Sequence, residues 1–158
     1  MDRKVVEFYE TAYAKGLLEG DLARPEDRIR FCFPRDVTGK RILDVGCGPG
    51  VQVCFFTANN QVHGVDLSRP ALEHAAANGL TIHHTEVEAD GLPFPDGHFD
   101  ILVCTDPLEH LFDPPSVIRE IKRAVRSDGF AIIAVPNHFF WSMQLQILLG
   151  SNLALPWH

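Results

Sequence analysis

The apolar residues of the chain fall into short runs that are separated by stretches with helical spacing. Five runs have the length and apolar character of buried strands, and they cover residues 41–45, 61–65, 80–84, 98–104 and 130–135. Helical spacing predicts helices over residues 3–18, 25–31, 51–58, 69–77 and 114–126. Strands that alternate with helices of about ten residues predict an α/β fold with a Rossmann-like, doubly wound, mostly parallel sheet.

Residues with capping preferences mark the ends of two of these helices. Ser68 is a suitable N-cap for the helix over 69–77, and Asn78-Gly79 is a suitable end for it. Pro114 fits the first turn of the helix over 114–126, where a missing N–H costs nothing. These signals support the proposed order of strands and helices.

Length and composition indicate one globular domain. The chain has 158 residues, of which 46% are hydrophobic and 22% are charged, and this excludes a disordered protein. Fourteen basic and twenty-one acidic residues give a net charge of −7, so a nucleic-acid-binding surface is not expected. No apolar run approaches the ~18–20 residues that span a bilayer.

The cysteines and histidines predict neither disulfides nor a metal site. Four cysteines are dispersed without a C-x-x-C pair, and the N-terminus MDRKVVEFYE lacks the apolar stretch of a signal peptide. We therefore expect a cytoplasmic protein with reduced thiols. None of the eight histidines belongs to an H-x-x-x-H motif with an acidic partner, so no bound metal is expected.

A glycine-rich loop and two acidic residues are the strongest candidates for a ligand site. The loop Gly46-Cys47-Gly48-Pro49-Gly50 directly follows the first predicted strand, and glycines let the backbone approach a ligand closely. Asp66, at the end of the second strand, is suitably placed to bind ribose hydroxyls, although it could instead cap the next helix. Asp44 ends a buried strand, where a charged group is costly unless it is paired.

Four segments, in order, resemble the motifs of class I S-adenosylmethionine-dependent methyltransferases of the ubiquinone-biosynthesis-like branch. They are ILDVGCGPG at 42–50, VDLS at 65–68, EADGLPFPDGHFD at 88–100, and LEH, REI, DG and VPN between 108 and 137. The resemblance implies S-adenosylmethionine as cofactor, S-adenosylhomocysteine as product and a small-molecule methyl acceptor. It also implies a helical cap (1–37), a cofactor-binding core (38–137) and an apolar lid or tail (138–158).

The resemblance assigns the methionine and ribose ends of the cofactor to the first two strands. Gly46, Cys47 and Gly48 would lie under the methionine part, and Asp44 would help to hold its amino group. Asp66 would bind the ribose hydroxyls, and Leu67 would lie against the adenine.

Further residues are implied on the adenine side and near the reacting centre. Glu88 stands where the family usually has an Asp that contacts the adenine amino group, and the backbone of Ala89 would complete that edge. Thr105 would lie near the reacting centre. Tyr9 and Tyr13 match aromatic residues that cover the cofactor in relatives, although core packing explains them equally well.

Methyl transfer needs aligned reactants, and a general base helps when the acceptor is a hydroxyl or an amine. His110 and Asp106 follow the fourth predicted strand and are the candidates for this base. A helix-cap or packing role remains the alternative for His110. Asp106-Pro107 departs from the apolar residues that the family usually has before Leu-Glu-His.

A nicotinamide-dependent oxidoreductase would share the fold, the glycine loop and the ribose-binding acid. Its fingerprint, however, is G-x-G-x-x-G, whereas this chain has G-x-G-x-G preceded by Asp44. The run Leu92-Pro93-Phe94-Pro95 also has no role in such an enzyme. The sequence therefore favours the methyltransferase interpretation.

Only twenty-one residues follow Asn137, too few for the two further strands of the family fold. We therefore expect a fold that lacks these strands, in a fragment or in a shortened relative that binds the cofactor without catalysis. The fifth strand would then form an exposed edge, which favours pairing with another chain. This predicts a homodimer through strand five or the tail; the alternative is a monomer whose tail covers the edge.

Overall fold

The computed structural model describes residues 32–34, 37–105 and 107–135. Within them, five strands form one parallel sheet in the order β3-β2-β1-β4-β5. The strands are β1 (Arg41–Val45), β2 (Gln61–Asp66), β3 (Thr81–His84), β4 (Phe99–Thr105) and β5 (Val125–Ala134). This confirms the predicted Rossmann-like sheet. The helices predicted over 3–18 and 25–31, and the predicted tail, lie outside the described residues.

Three helices connect the strands: α1 (Arg69–Ala77), α2 (Val87–Asp90) and α3 (Pro114–Ala124). The Ser68 hydroxyl accepts a hydrogen bond from the Ala71 N–H at 3.4 Å, as expected of an N-cap. Proline lies in the first turn of both α1 and α3. The sequence predicted α1 and all of α3, but not the single turn of α2. The helix predicted over 114–126 ends at Ala124, because β5 already begins at Val125 instead of at the predicted residue 130. No helix in the described part of the chain is long and apolar enough to cross a bilayer.

The helix predicted over 51–58 is wrong, because this stretch contains only turns around a short 3₁₀ turn, Cys54–Phe56. Its β-branched and aromatic residues have low helix propensity. Tertiary packing also holds the stretch in its observed form, since Val53 is fully buried and the Phe56 ring packs on Phe33 with centroids 4.2 Å apart. The Thr57 hydroxyl bonds back to the Cys54 carbonyl at 2.8 Å, which competes with a regular helix.

The core consists of two layers, one on each face of the sheet. In β1, Ile42 points to the layer that includes Leu72 of α1, whereas Leu43 points to the layer that includes Val117 of α3. Because both faces are covered, the central strands β1 and β4 are mostly apolar, and Asp44 and Thr105 are their buried polar residues. The carboxyl ends of these strands then remain as the edge where polar residues collect.

The last strand pairs irregularly with its neighbour. Phe99 pairs with Val125 and Ile101 with Phe130, so residues 126–129 bulge out of the ladder. Arg126 closes the bulge with bonds to Asp100 and Asp128, each at 3.0 Å. In the described part of the chain β5 is one edge of the sheet, and the side chains of Phe130, Ile133 and Val135 are exposed.

Candidate functional site

The glycine loop, residues 46–50, is fixed to the end of β2. The N–H groups of Gly46 and Cys47 both donate to the Val65 carbonyl, at 2.9 and 3.1 Å. Gly46 and Gly48 have φ values of +68° and +51°, in the left-handed region that favours glycine. A Cβ on Gly46 would lie 2.8 Å from Cβ of Pro107, which follows β4. The loop therefore needs glycine both for its backbone angles and for close packing.

Asp66 connects this loop to the start of α1. Its Oδ2 accepts a hydrogen bond from the Gly48 N–H at 2.9 Å, and its Oδ1 accepts one from the Ser68 N–H at 2.8 Å. Burial raises the pKa of Asp66 above its ordinary value, and the N–H donors of Ser68 and Gly48 oppose that shift. Each carboxylate oxygen can accept a second hydrogen bond, so the group can still bind the two hydroxyls of a diol.

Asp44 and Cys47 lie beside Asp66 at the same edge of the sheet. Asp44 is 2% exposed and lies between Gly64 of β2 and Val103 of β4. Cys47 is buried, and this burial, together with the carboxylates of Asp44 and Asp66, raises the pKa of its thiol. Cys47 therefore stays protonated and packs against the strands instead of acting as a nucleophile.

Thr105 ends β4 next to the glycine loop. Its hydroxyl donates to Oε1 of Gln52 at 2.6 Å, and Thr105 is buried while Gln52 is half-buried. Sequence reasoning placed Thr105 near the reacting centre but did not identify Gln52. The only local signal is a polar residue between Val51 and Val53, directly after the loop.

The residues implied on the adenine side lie farther along the sheet. Glu88, in α2, accepts a hydrogen bond from the Asp113 N–H before α3. The Ala89 N–H bonds to the Glu86 carbonyl at 3.0 Å. Leu67 is half-buried, and its carbonyl bonds to Nε2 of His84 at 2.9 Å. The structure therefore shows internal partners for the polar groups of Glu88 and Ala89.

The candidate base residues differ in what the structure describes. His110 is exposed at the end of a 3₁₀ turn, Leu108–His110, that follows β4. Asp106, Tyr9 and Tyr13 lie outside the described residues. The structure thus brings together Asp44, the glycine loop, Asp66 and Thr105, and places His110 after the same edge. In the residues that the structure describes, no group of three or more His, Cys, Asp or Glu side chains could hold a metal ion.

Comparison with known proteins agrees with this geometry. A family model described as "Methyltransferase domain" matches residues 43–133, more than half of the chain. A ubiquinone biosynthesis O-methyltransferase from Paraburkholderia phymatum is 35% identical over 107 residues, covering 64% of this chain and 46% of that protein. The chain spans about half the length of the curated relatives it matches.

Solved structures show the same fold. A SAM-dependent methyltransferase from Thermotoga maritima has a TM-score of 0.70 at 18% identity, covering 92% of this chain and 67% of that one. A phosphoethanolamine N-methyltransferase from Haemonchus contortus, solved with S-adenosylhomocysteine, has a TM-score of 0.59 at 28% identity. The match covers 68% of this chain and 27% of that one. The chain therefore belongs to the methyltransferase domain family and has the Rossmann-like fold of class I S-adenosylmethionine-dependent methyltransferases.

Proposed function

We propose that this chain binds S-adenosylmethionine at the carboxyl ends of β1 and β2 and transfers its methyl group to a small-molecule acceptor. The observation that carries the proposal is the junction at Asp66, whose two oxygens bond the Gly48 and Ser68 N–H groups. This junction sets a carboxylate, a glycine loop and the buried Asp44 side by side. The family match and the complex of the Haemonchus relative with S-adenosylhomocysteine support the same cofactor.

The residues present fit this cofactor. Asp66 can accept hydrogen bonds from the ribose diol, and Asp44 can attract the positively charged amino group of the methionine part. Gly48 has no side chain that would obstruct a ligand approaching the loop backbone. Leu67 offers an apolar contact for the adenine, and Glu88 and Ala89 are the proposed contacts for its polar edge.

The cofactor, when bound, supplies a methyl group on a positively charged sulfur. The chain contributes alignment, because methyl displacement requires an in-line approach of the acceptor. Thr105 ends β4 beside the loop, and its bond to Gln52 holds the hydroxyl in one orientation. His110, exposed after β4, and Asp106 are the proposed groups that take the proton from a hydroxyl or amine acceptor.

The acceptor is proposed to be a small molecule, in keeping with the net charge of −7. A hydroxyl is the first acceptor to test, because the relatives named O-methyltransferase match this chain over about half of their own length.

We also propose a cytoplasmic location, where the four free cysteines would stay reduced. We further propose that the chain forms a homodimer through β5 or the tail, since β5 exposes apolar side chains at one edge of the described sheet.

Calorimetry with S-adenosylhomocysteine tests the site directly. Asp66→Ala removes charge-assisted hydrogen bonds worth about 1.5–3 kcal/mol, so we expect affinity to fall roughly 10- to 150-fold. Asp66→Asn keeps the shape but loses the charge, and an intermediate loss is expected. Glu73→Gln, which changes an exposed carboxylate of α1, is the matched control and should bind like the wild type. Unchanged affinity in Asp66→Ala would contradict the site, whereas binding without methyl transfer would favour a non-catalytic module.

A further inference from the structure

Two side chains of α3 fix the backbone of the α2–β4 connection, residues 91–97. Arg123 donates from Nη1 to the Phe94 carbonyl at 2.8 Å and from Nη2 to the Leu92 carbonyl at 3.0 Å. Nη1 also bonds Oδ1 of Asp96 at 2.9 Å. One guanidinium group thus holds three acceptors of a single connection. Its planar set of five donors makes this arrangement available to arginine and not to lysine.

Glu120 completes the arrangement from the preceding turn of α3. Its Oε2 accepts hydrogen bonds from the Leu92 N–H at 2.9 Å and from Nη2 of Arg123 at 2.6 Å, and its Oε1 accepts from Nε at 2.9 Å. The bond from Arg123, with a further contribution from the Leu92 N–H, lowers the pKa of Glu120 to about 2. Glu120 is therefore a carboxylate at every physiological pH, and the two side chains form a charged pair that binds both an N–H and carbonyls of the connection.

The connection is also held on its other side. Leu92 is 5% exposed in the core layer beneath α3, and the Phe94 ring meets the Phe99 ring edge-on with centroids 4.7 Å apart. Gly91 has a φ of +73°, and a Cβ there would lie 3.0 Å from Oε2 of Glu120. Glycine at this position lets the carboxylate reach the backbone. The connection is consequently fixed both by backbone bonds to α3 and by side-chain packing on the sheet.

These contacts matter for the cofactor site because residue 91 directly follows α2. The single turn of α2 carries Glu88 and Ala89, and Glu88 also accepts from the Asp113 N–H at the start of α3. A segment of four residues has little internal stability of its own. The position of α2 relative to β2 is therefore set from outside: before α2 the Thr85 N–H bonds the Asp66 carbonyl at 3.1 Å, and α3 holds Glu88 and the residues after α2.

We propose that Glu120 and Arg123 are positioning residues for the adenine end of the cofactor site. They act through the α2–β4 connection, which holds Glu88 and Ala89 where an adenine amino group can be recognised, and they do not touch the ligand. This inference rests on the proposed function, because it requires that S-adenosylmethionine and its product bind to this chain.

The test compares two ligands that differ only at one edge of the base, where loss of the adenine amino group also turns N1 from a hydrogen-bond acceptor into a donor. S-adenosylhomocysteine carries that group, whereas S-inosylhomocysteine carries a carbonyl in its place. Calorimetry should show that the wild type binds the first ligand about tenfold or more tightly, as expected for a hydrogen bond to a charged group. In Arg123→Lys and Glu120→Gln, S-adenosylhomocysteine should lose most of this advantage, while S-inosylhomocysteine changes little. The ratio of the two dissociation constants should therefore approach one.

A matched control separates positioning from general weakening of the fold. Arg126→Gln removes an arginine close to Arg123 in sequence, whose side-chain bonds go to Asp100 and Asp128 and not to the connection. It should keep the wild-type ratio even where thermal unfolding shows it to be destabilised. Glu120→Gln preserves volume, so it serves as the second variant if Arg123→Lys fails to fold.

The outcomes are distinct. An unchanged ratio in Glu120→Gln or Arg123→Lys would overturn the positioning role, and so would equal affinity of the wild type for the two ligands. Failure of the wild type to bind either ligand would instead overturn the proposed function. A collapsed ratio in the variants, with a normal ratio in Arg126→Gln, supports the inference.

Discussion

Gly48 combines an unusual backbone angle with a place in the candidate site. Its φ is +51°, and its N–H donates to Asp66. A β-branched side chain at such an angle costs on the order of 1–2 kcal/mol. In Gly48→Val we expect this moderate loss of stability together with loss of S-adenosylhomocysteine binding, because the side chain would occupy the space next to the ligand. Calorimetry and urea unfolding measure the two effects separately.

Gly39 provides a matched control for that substitution. It has a φ of +66°, and a Cβ there would meet nothing within 4 Å. Gly39→Val therefore introduces a similar backbone strain away from the site, and it should lower stability while binding stays normal. If Gly48→Val bound the ligand as well as Gly39→Val, the glycine loop would be only a turn.

A pair of histidines on the face of the sheet that carries Leu43 and Phe99 predicts a dependence of stability on pH. Nδ1 of His63 lies 3.1 Å from Nε2 of His83, and the Phe94 ring packs edge-on against both rings. Burial lowers the pKa of both histidines, and for His63 the neighbouring His83, His98 and Arg41 lower it further. The folded protein therefore binds fewer protons than the unfolded chain as the pH falls below about 6.5.

Stability should accordingly decrease as the pH falls from 7.5 through about 6.5 toward the lowered pKa values of the folded state. Urea unfolding at pH 7.5 and at pH 5.5 measures this change. The double variant His63→Gln/His83→Gln removes both titrating rings, so its loss of stability over the same interval should be smaller. An equal loss in the variant would mean that other groups cause the pH dependence.

The sequence predicted the acidic residues of the site better than their partners. Asp66 ends β2 and Asp44 is the second-last residue of β1, and parallel strands bring such ends to one edge whatever the details of packing. The bonds from Thr105 to Gln52 and from Asp113 to Glu88 join residues 53 and 25 positions apart. Neither contact leaves a periodic pattern in the sequence, so neither can be predicted from the sequence alone.

At the scale of elements, the bulge that begins β5 is a tightly packed junction. A Cβ on Gly129 would lie 2.6 Å from the backbone carbonyl oxygen of Asp100, which cannot move without disturbing the pairing of β4. Gly129→Ala should therefore destabilise the protein by about 1–3 kcal/mol, as overpacking does in a well-packed core. Ser127→Ala, at an exposed position of the same bulge, should change stability much less. Comparable urea midpoints for the two variants would contradict this account.

Strands and capped helices were predictable because their signals are local. The strands follow from apolar runs, and α1 follows from Ser68 and the proline after it. The helix expected over 51–58 is wrong because the β-branched and aromatic residues of this stretch disfavour a helix, although it follows a glycine loop. In the structure Val53 lies in the core layer and Phe56 packs against it, so tertiary packing decides the conformation of this stretch.

At the scale of the whole molecule, the strand order explains why the candidate site lies where it does. The chain runs outward from β1 through β2 to β3, and then returns to the other side of β1 to form β4 and β5. In open α/β sheets the connections leaving two such strands diverge, and ligands bind outside their carboxyl ends at this reversal. The glycine loop follows β1 and Thr105 ends β4, so the two candidate features meet at this reversal.

The same order leaves β5 as one edge of the described sheet, and this edge carries the prediction of a homodimer. Ile133 of β5 is 43% exposed, and its neighbours Phe130 and Val135 are also exposed. A second copy related by a two-fold axis can pair with such an edge and cover its apolar side chains. Sedimentation velocity at micromolar concentration should therefore show a dimer.

Ile133→Lys tests whether β5 forms the contact, because a charged side chain on an edge strand opposes pairing. The matched control is Ile82→Lys, which changes a residue of similar exposure, 37%, on β3 at the other edge. We expect Ile133→Lys to sediment as a monomer and Ile82→Lys to remain a dimer. A monomeric wild type would contradict the dimer itself. A dimer that survives Ile133→Lys would exclude β5 and leave the tail segment as the contact.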